Sequence, residues 1–160
     1  MKIGIVSDSH GNTSALDTML QHPASAEVEA WLFAGDIAMD AEYLEMVTDV
    51  PVVKVAGNND WPMSRLEDTV ITELGGHRIL LTHGHLYGVT FSTQNLELAA
   101  REQEADIAVY GHTHVADLST GEVMILNPGS VARPRDASRG SFMVAELVPD
   151  QEPVVKLIRI

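Results

Sequence analysis

An α+β domain built on two sheets is the architecture encoded in this chain's hydrophobic pattern. Three observations carry that reading. Four short apolar runs each end in a polar, glycine-containing turn, with helical patterns between the early ones. The later part of the chain offers further strands with few helical segments between them. The 160 residues suffice for one domain, which buries roughly 70% of its unfolded surface around a single core. With no linker, internal repeat or low-complexity stretch, residues 1–160 are expected to form a single domain.

The first run, residues 3–6 (IGIV), leads into SDSHGN. Four apolar residues rich in Ile and Val fit a strand buried on both faces. Asn12 is placed to cap the helix that follows. Leu16, Met19 and Leu20 recur there at three and four until Pro23 bars continuation. Residues 31–34 (WLFA) form the second run and open into GDIAMD, and 41–48 fit a short helix with Leu44 and Val47 inward. The third run, 52–56 (VVKVA), ends in GNNDW. Strand–turn–helix repetition predicts right-handed crossovers and a mostly parallel sheet in this half. Residues 70–74, Gly75-Gly76 and 78–82 then read as a hairpin, since Gly-Gly suits a type I′ turn. A helix over 93–105 places Leu96, Ala99 and Ala100 on one face and exposes Gln94, Glu97 and Arg101. The fourth run, 107–110 (IAVY), breaks into GHTH. Residues 123–126, 141–147 and 154–160 are the remaining strands, with Pro149-Asp150 turning the chain before the last. This second half is expected to be antiparallel or mixed.

Charge narrows the function. Ten Lys and Arg against 23 Asp and Glu leave a formal net charge of −13. That surplus repels phosphate backbones and anionic lipid, so general nucleic-acid binding and membrane binding are disfavoured. A bound metal would invert the field where it sits. The absence of Cys excludes disulfides, thiolate nucleophiles, Fe–S clusters and Cys-ligated zinc. The opening MKIGIVSDSHGN reaches Asp8 before a signal peptide's apolar segment could form, and no stretch approaches a membrane span. A cytoplasmic protein is expected.

Ligand-capable residues collect in the turns. Of seven His, five (His10, His83, His85, His112 and His114) lie in three turns. Asp8, Asp36, Asn58 and Asp60 lie in the turns after three separate runs. Sites in open α/β sheets assemble at the carboxyl ends of strands, where these residues would converge. Asp8-x-His10 and His112-x-His114 share i, i+2 spacing, which in extended chain points both side chains the same way. Each piece alone has an ordinary explanation. An Asp after a strand commonly forms a turn or caps a helix, Asn58-Asn59-Asp60 can be a tight turn, and His83 and His85 can be surface residues. His22 and His77 are read as structural. Together, the Asp, Asn and His set suits first-row divalent ions such as Mn, Fe, Zn, Ni or Co. It holds too much imidazole for an all-oxygen Ca²⁺ or Mg²⁺ site.

The ordered motifs Asp8-x-His10, Gly35-Asp36, Gly57-Asn58-x-Asp60, His83-Gly84-His85 and Gly111-His112-x-His114 resemble those of the calcineurin-like metallophosphoesterases. More narrowly, the chain is similar to the small bacterial and archaeal phosphodiesterases that lack a cap domain. Asn127-Pro128-Gly129-Ser130 followed by Arg133-Pro134-Arg135 extends the likeness to about residue 136. The resemblance implies a four-layer α/β/β/α sandwich with two mixed sheets and a two-metal centre. It implies Asp8, His10, Asp36 and His114 as ligands of one ion. Asp36, Asn58, His83 and His112 would bind the other, with Asp36 bridging. It further implies manganese as the usual ion and a homodimer as a common state.

Two divalent ions against the charges of Asp8 and Asp36 leave a positive focus inside an acidic protein. The expected reaction is hydrolysis of a small organic or nucleotide-like phosphodiester by water activated between the ions, in line with the leaving group. Asp36 and Asn58 would act through the ions. Asp60 would orient a ligand or bound water. His85 would touch substrate oxygens, and Arg133 would clamp the substrate. One departure stands out. Larger phosphatases of the superfamily carry a His at the position of Asn59, and the narrower branch usually a Cys. Neither Asn nor Cys protonates an alkoxide, so good leaving groups are favoured. The alternatives are a protein-interaction scaffold of the same fold, a phosphomonoesterase, which Asn59 argues against, and a nuclease, which the net charge argues against.

Overall fold

Alternation within each apolar run sorts its side chains onto the two faces of a sheet. In β1 (Lys2–Val6), Ile3 and Ile5 face a second sheet, while Val6 faces helices. In β2 (Ala30–Phe33), Leu32 points inward and Trp31 and Phe33 outward. The computed structural model describes residues 1–60 and 64–160; Trp61, at the end of the third predicted turn, lies outside them.

One sheet has the order β10-β9-β1-β2-β3. Its parallel part is β1, β2 and β3 (Val52–Lys54), joined through α1 (Thr13–Gln21) and α2 (Ala38–Val47). The antiparallel strands β9 (Ser141–Glu146) and β10 (Val154–Arg159) extend it beside β1. The other sheet has the order β4-β5-β6-β8-β7. It is built from the hairpin β4 (Thr69–Leu74) and β5 (His77–Thr82), then β6 (Ile107–Val109), β7 (Ala116–Ser119) and β8 (Met124–Pro128), with α3 (Gln94–Glu102) before β6. Gly75 and Gly76 have φ of 58° and 84°, the positive values that a type I′ turn needs.

Three apolar clusters define the layers. Ile3, Ile5, Leu32, Ile79, Leu81, Ile107, Val109 and Leu126 pack between the sheets. Leu16, Met19 and Leu44 of α1 and α2 cover Trp31, Phe33 and Phe142. Leu96 and Ala100 of α3 cover Leu80, Ala108 and Ile125. The four-layer sandwich with two mixed sheets is therefore present. The fourth apolar run becomes β6 of the second sheet, where it lies parallel to both β5 and β8.

Local differences have local causes. Helix α2 begins at Ala38, before the expected 41, because Asp60 Oδ1 accepts the Ala38 N–H at 2.6 Å. Strand β7 escaped prediction because its sequence, ADLS, is half polar and lies on a sheet edge. Single turns of 3₁₀ helix at Pro23–Ser25 and His85–Tyr87 were also not anticipated. Asn12 caps α1 as expected, accepting the Ala15 N–H at 3.1 Å.

Asp136 ties the loop after β8 to β10. Its carboxylate accepts from Arg159 at 2.7 and 3.0 Å and from the Ala116 N–H at 2.9 Å. The bonds from Arg159 lead in holding the Asp136 carboxyl down, to about 2. A lowered carboxyl contributes stability in full above its unfolded value near pH 4 and loses it as pH falls through the folded value. The melting-temperature difference between the parent and Asp136→Asn is therefore expected to be constant above about pH 4 and to shrink toward pH 2.

Candidate metal centre

The predicted residues converge at one end of the sandwich, and both sheets contribute. Asp8 follows β1, Asp36 follows β2 and Asn58 follows β3; His83 and His85 follow β5, and His112 and His114 follow β6. Asp8, Asp36, His83 and His114 are buried, while Asn58 is exposed. Donor atoms of Asp8, His10 and His114 lie within 4.8 Å of one another, as do those of Asp8, Asp36 and His83. Asn58 Oδ1 stands 2.9 Å from His83 Nε2 and 3.1 Å from His112 Nδ1. These seven residues form one cluster. His85 stands behind it, its ring 5.5 Å from that of His83.

The i, i+2 pairs reach the cluster by a different route from the one expected. Asp8, His10, His112 and His114 have φ of 55°, 50°, 67° and 59°, so the backbone is left-handed there and not extended. Each such residue costs about 1–2 kcal/mol. That strain is imposed by the surroundings. Ser130 Oγ donates to the Asp8 carbonyl at 2.7 Å, and Asn127 Nδ2 donates to the Gly111 carbonyl at 3.0 Å. Buried Asp40 accepts from Ser9 Oγ and from the Gly11 N–H. In the sequence Asp40 only ends the GDIAMD turn ahead of the expected helix, and nothing there marks it as a partner of the Asp8 turn.

Two histidines have their tautomers fixed by backbone carbonyls. His83 Nδ1–H donates to Ala34 at 2.7 Å, and His114 Nδ1–H donates to Arg133 at 2.8 Å. In the neutral rings Nε2 then carries a lone pair. The Nε2 lone pair of His83 faces Asn58 Oδ1; that of His114 faces His10 Nε2 at 2.9 Å and Asp8 Oδ1 at 3.3 Å. Asp8 Oδ1 is buried, and it gains a hydrogen bond only if His114 takes a second proton. Lone pairs facing lone pairs around a buried carboxylate oxygen are an arrangement that a cation stabilises. The Asp, Asn and His donors thus fit a first-row divalent ion.

Titration behaviour matches. Burial would raise the Asp8 carboxyl, but the contact with His114, the charge of His83 and the Ser7 hydroxyl together carry it below the ordinary carboxylate range. Burial is the leading cause that lowers His10, His85 and His112. Contact with Asp8 raises His114, whose proton there substitutes for a cation.

Other predicted residues act less directly. Both Asp60 oxygens accept backbone N–H groups, those of Ala38 at 2.6 Å and Gly57 at 2.8 Å, so Asp60 shapes the turn that presents Asn58. Asn59 Nδ2 donates to both Asp36 oxygens, at 2.7 and 2.8 Å. Arg133 contributes its carbonyl to His114, whereas the side chain lining the cavity over the centre, about 410 Å³, is Arg135. His22 and His77 lie outside the cluster: His22 accepts the Ala24 N–H, and His77 bridges Asp106 and the Val148 carbonyl.

Gly57 makes this packing achievable. A Cβ there would stand 2.3 Å from the Asp36 Cα, backbone that cannot step aside. Gly57→Ala is expected to cost about 1–3 kcal/mol of stability and to weaken metal binding, as read by thermal melts and calorimetric titration of Mn²⁺.

The model of the calcineurin-like phosphoesterase superfamily domain matches residues 1–150. The chain is 33% identical over 156 residues to the Bacillus subtilis "Probable metallophosphoesterase YsnB", covering 96% of this chain and 89% of that protein. It is 30% identical over 167 residues to the Escherichia coli phosphodiesterase YfcE, covering 89% and 85%. A crystal structure of a conserved Streptococcus pneumoniae protein superposes with a TM-score of 0.78 at 31% identity, covering 99% of this chain and 88% of that one. Among the described residues no helix is long and apolar enough to cross a membrane. The family match over nearly the whole chain, on a four-layer sandwich with an Asp, Asn and His cluster at its strand ends, establishes that this chain belongs to the calcineurin-like phosphoesterase superfamily and is a metal-dependent phosphoesterase.

Proposed function

We propose that the chain is a phosphodiesterase that uses two divalent ions, manganese first among them, to hydrolyse small organic or nucleotide-like diesters. The observation that carries this reading is the ring of inward-facing lone pairs around Asp8 Oδ1, at the floor of an open cavity. Asp8, His10, Asp36 and His114 would hold one ion and Asp36, Asn58, His83 and His112 the other, with Asp36 shared. Bound ions would supply positive charge to the phosphoryl oxygens and lower the pKa of water.

The chain's own residues pre-set the geometry. The carbonyls of Ala34 and Arg133 lock His83 and His114 with Nε2 inward. Asn59 restrains Asp36, and Asp60 shapes the turn under Asn58. Arg135 sets a cationic group at the rim of a protein whose formal net charge is −13, and so draws an anionic substrate to this end. The similarity to YfcE, named a phosphodiesterase, supports a diester as substrate. So does Asn59, whose carboxamide is not an acid and cannot protonate a poor leaving group.

The test is p-nitrophenolate release from bis(p-nitrophenyl) phosphate by chelator-stripped protein, with and without Mn²⁺. Ion-dependent release that exceeds release from p-nitrophenyl phosphate is expected. No release with Mn, Fe, Zn, Ni or Co would favour the protein-interaction scaffold.

A further inference from the structure

A second cavity, about 600 Å³, adjoins the first and shares Asn58 with it. Its volume lies within the roughly 300–1,000 Å³ typical of small-molecule sites. Ala56, Leu66 and Leu86 give it aliphatic walls, and His85 lines it beside the centre. Among its described lining residues there is no Lys or Arg, and Asp68 is the one carboxylate.

The wall carrying Asp68 is fixed to both sheets. The Ala56 N–H, beyond β3, donates to the Glu67 carbonyl at 2.9 Å. Thr82 Oγ1, at the end of β5, donates to the Asp68 carbonyl at 3.0 Å, and the Leu66 N–H donates to Ser64 Oγ at 3.0 Å. Asp68 immediately precedes β4, is exposed, and lines the cavity. Asp68 is the charged residue of the second cavity's described lining, whereas the first is lined by Arg135 together with Asp8 and Asp36, whose charges bound ions would offset.

Because the cavities share Asn58, a residue of the metal cluster, a phosphoryl group bound there would have one cavity open to each ester arm. We propose that the Asp68 cavity seats one ester arm of the substrate and selects an amino alcohol or its N-methylated form. Aliphatic walls take the methylene and methyl groups, and the carboxylate faces the ammonium. An arm bearing a second phosphate or carboxylate is repelled by Asp68. This assignment rests on the phosphodiesterase reading and narrows it to diesters with one cationic arm.

The test compares two isosteric diesters, p-nitrophenyl phosphorylcholine and 3,3-dimethylbutyl p-nitrophenyl phosphate, which differ only in the charge of the arm. A carboxylate about 5 Å from an ammonium in a partly hydrated cavity is worth about 5–10-fold in affinity. The parent, loaded with Mn²⁺, is therefore expected to favour the choline diester about 5–10-fold in kcat/KM, mostly through KM. Asp68→Asn should bring the ratio near one, and Asp68→Glu should retain it. Glu67→Gln, an exposed neighbour outside the cavity's lining, should leave both rates unchanged. A parent ratio of one, or a ratio that survives Asp68→Asn, overturns the proposal.

Calorimetry with phosphorylcholine and 3,3-dimethylbutyl phosphate reads the cavity without turnover. The same preference and the same loss in Asp68→Asn are expected. If neither diester is cleaved with any ion, the phosphodiesterase reading fails. The binding preference then decides the cavity by itself, and equal binding of the two probes overturns it.

Discussion

Asp36→Ala is expected to lower kcat/KM for bis(p-nitrophenyl) phosphate by more than about 100-fold, above the usual cost of losing a residue that merely supports a metal ligand. Metal titration should show both sites weakened. The cause is the position of Asp36: one oxygen lies 3.1 Å from His10 Nδ1 and the other 3.8 Å from His83 Nε2, so one carboxylate touches both halves of the cluster. His10 lies against His114 and Asp36, on one side of the cluster, and His10→Ala should mainly weaken one site. Circular dichroism separates loss of metal from loss of fold. An Asp36→Ala protein that keeps full activity, or loses one ion and retains the other at parental affinity, would remove the shared carboxylate from the account.

Leaving-group dependence is the second large effect. A monoester dianion needs a proton on a poor alkoxide, whereas an aryl diester departs as a phenolate that needs little help. Asn59 stands where the larger phosphatases carry His, and its carboxamide is turned to the Asp36 oxygens. Without proton donation, typically worth about 10²–10⁴-fold, the rate should fall steeply as leaving-group pKa rises. Aryl diesters should be cleaved faster than matched aryl monoesters, and alkyl leaving groups should be poor in both. Asn59→His should flatten the slope if the imidazole reaches the leaving oxygen. The measurement is kcat/KM across substituted aryl mono- and diesters in the parent. A flat slope with a monoester preference would mean that another acid is present, with His85 the nearest imidazole outside the seven clustered residues, and would withdraw the diester assignment.

Why so much of the site was legible is a matter of topology. Strands buried on both faces read as continuous apolar runs, and the polar turn after each run is where a parallel strand exposes its carboxyl end. Asp8, Asp36, Asn58, His83, His112 and His114 therefore stood out as polar residues at the ends of apolar runs. The spacing of Asp8-x-His10 was noticed for a reason that does not hold, since both residues adopt left-handed backbone. What stayed hidden acts across long separations. Asp40 steadies the Asp8 turn from α2, Ser130 reaches the Asp8 carbonyl from 122 residues away, and Arg135 reaches the cavity from beyond β8. None of these contacts leaves a periodic trace. In the fold, β7 was missed because an edge strand of alternating polar residues lacks an apolar run.

Anomalous scattering from a crystal grown with Mn²⁺ tests the metal centre most directly, because it counts and places the ions together. Two peaks roughly 3.5 Å apart are expected, one against Asp8, His10 and His114 and one against Asn58, His83 and His112, with Asp36 between them. A single peak at saturating Mn²⁺, or peaks away from these side chains, would contradict the two-ion account.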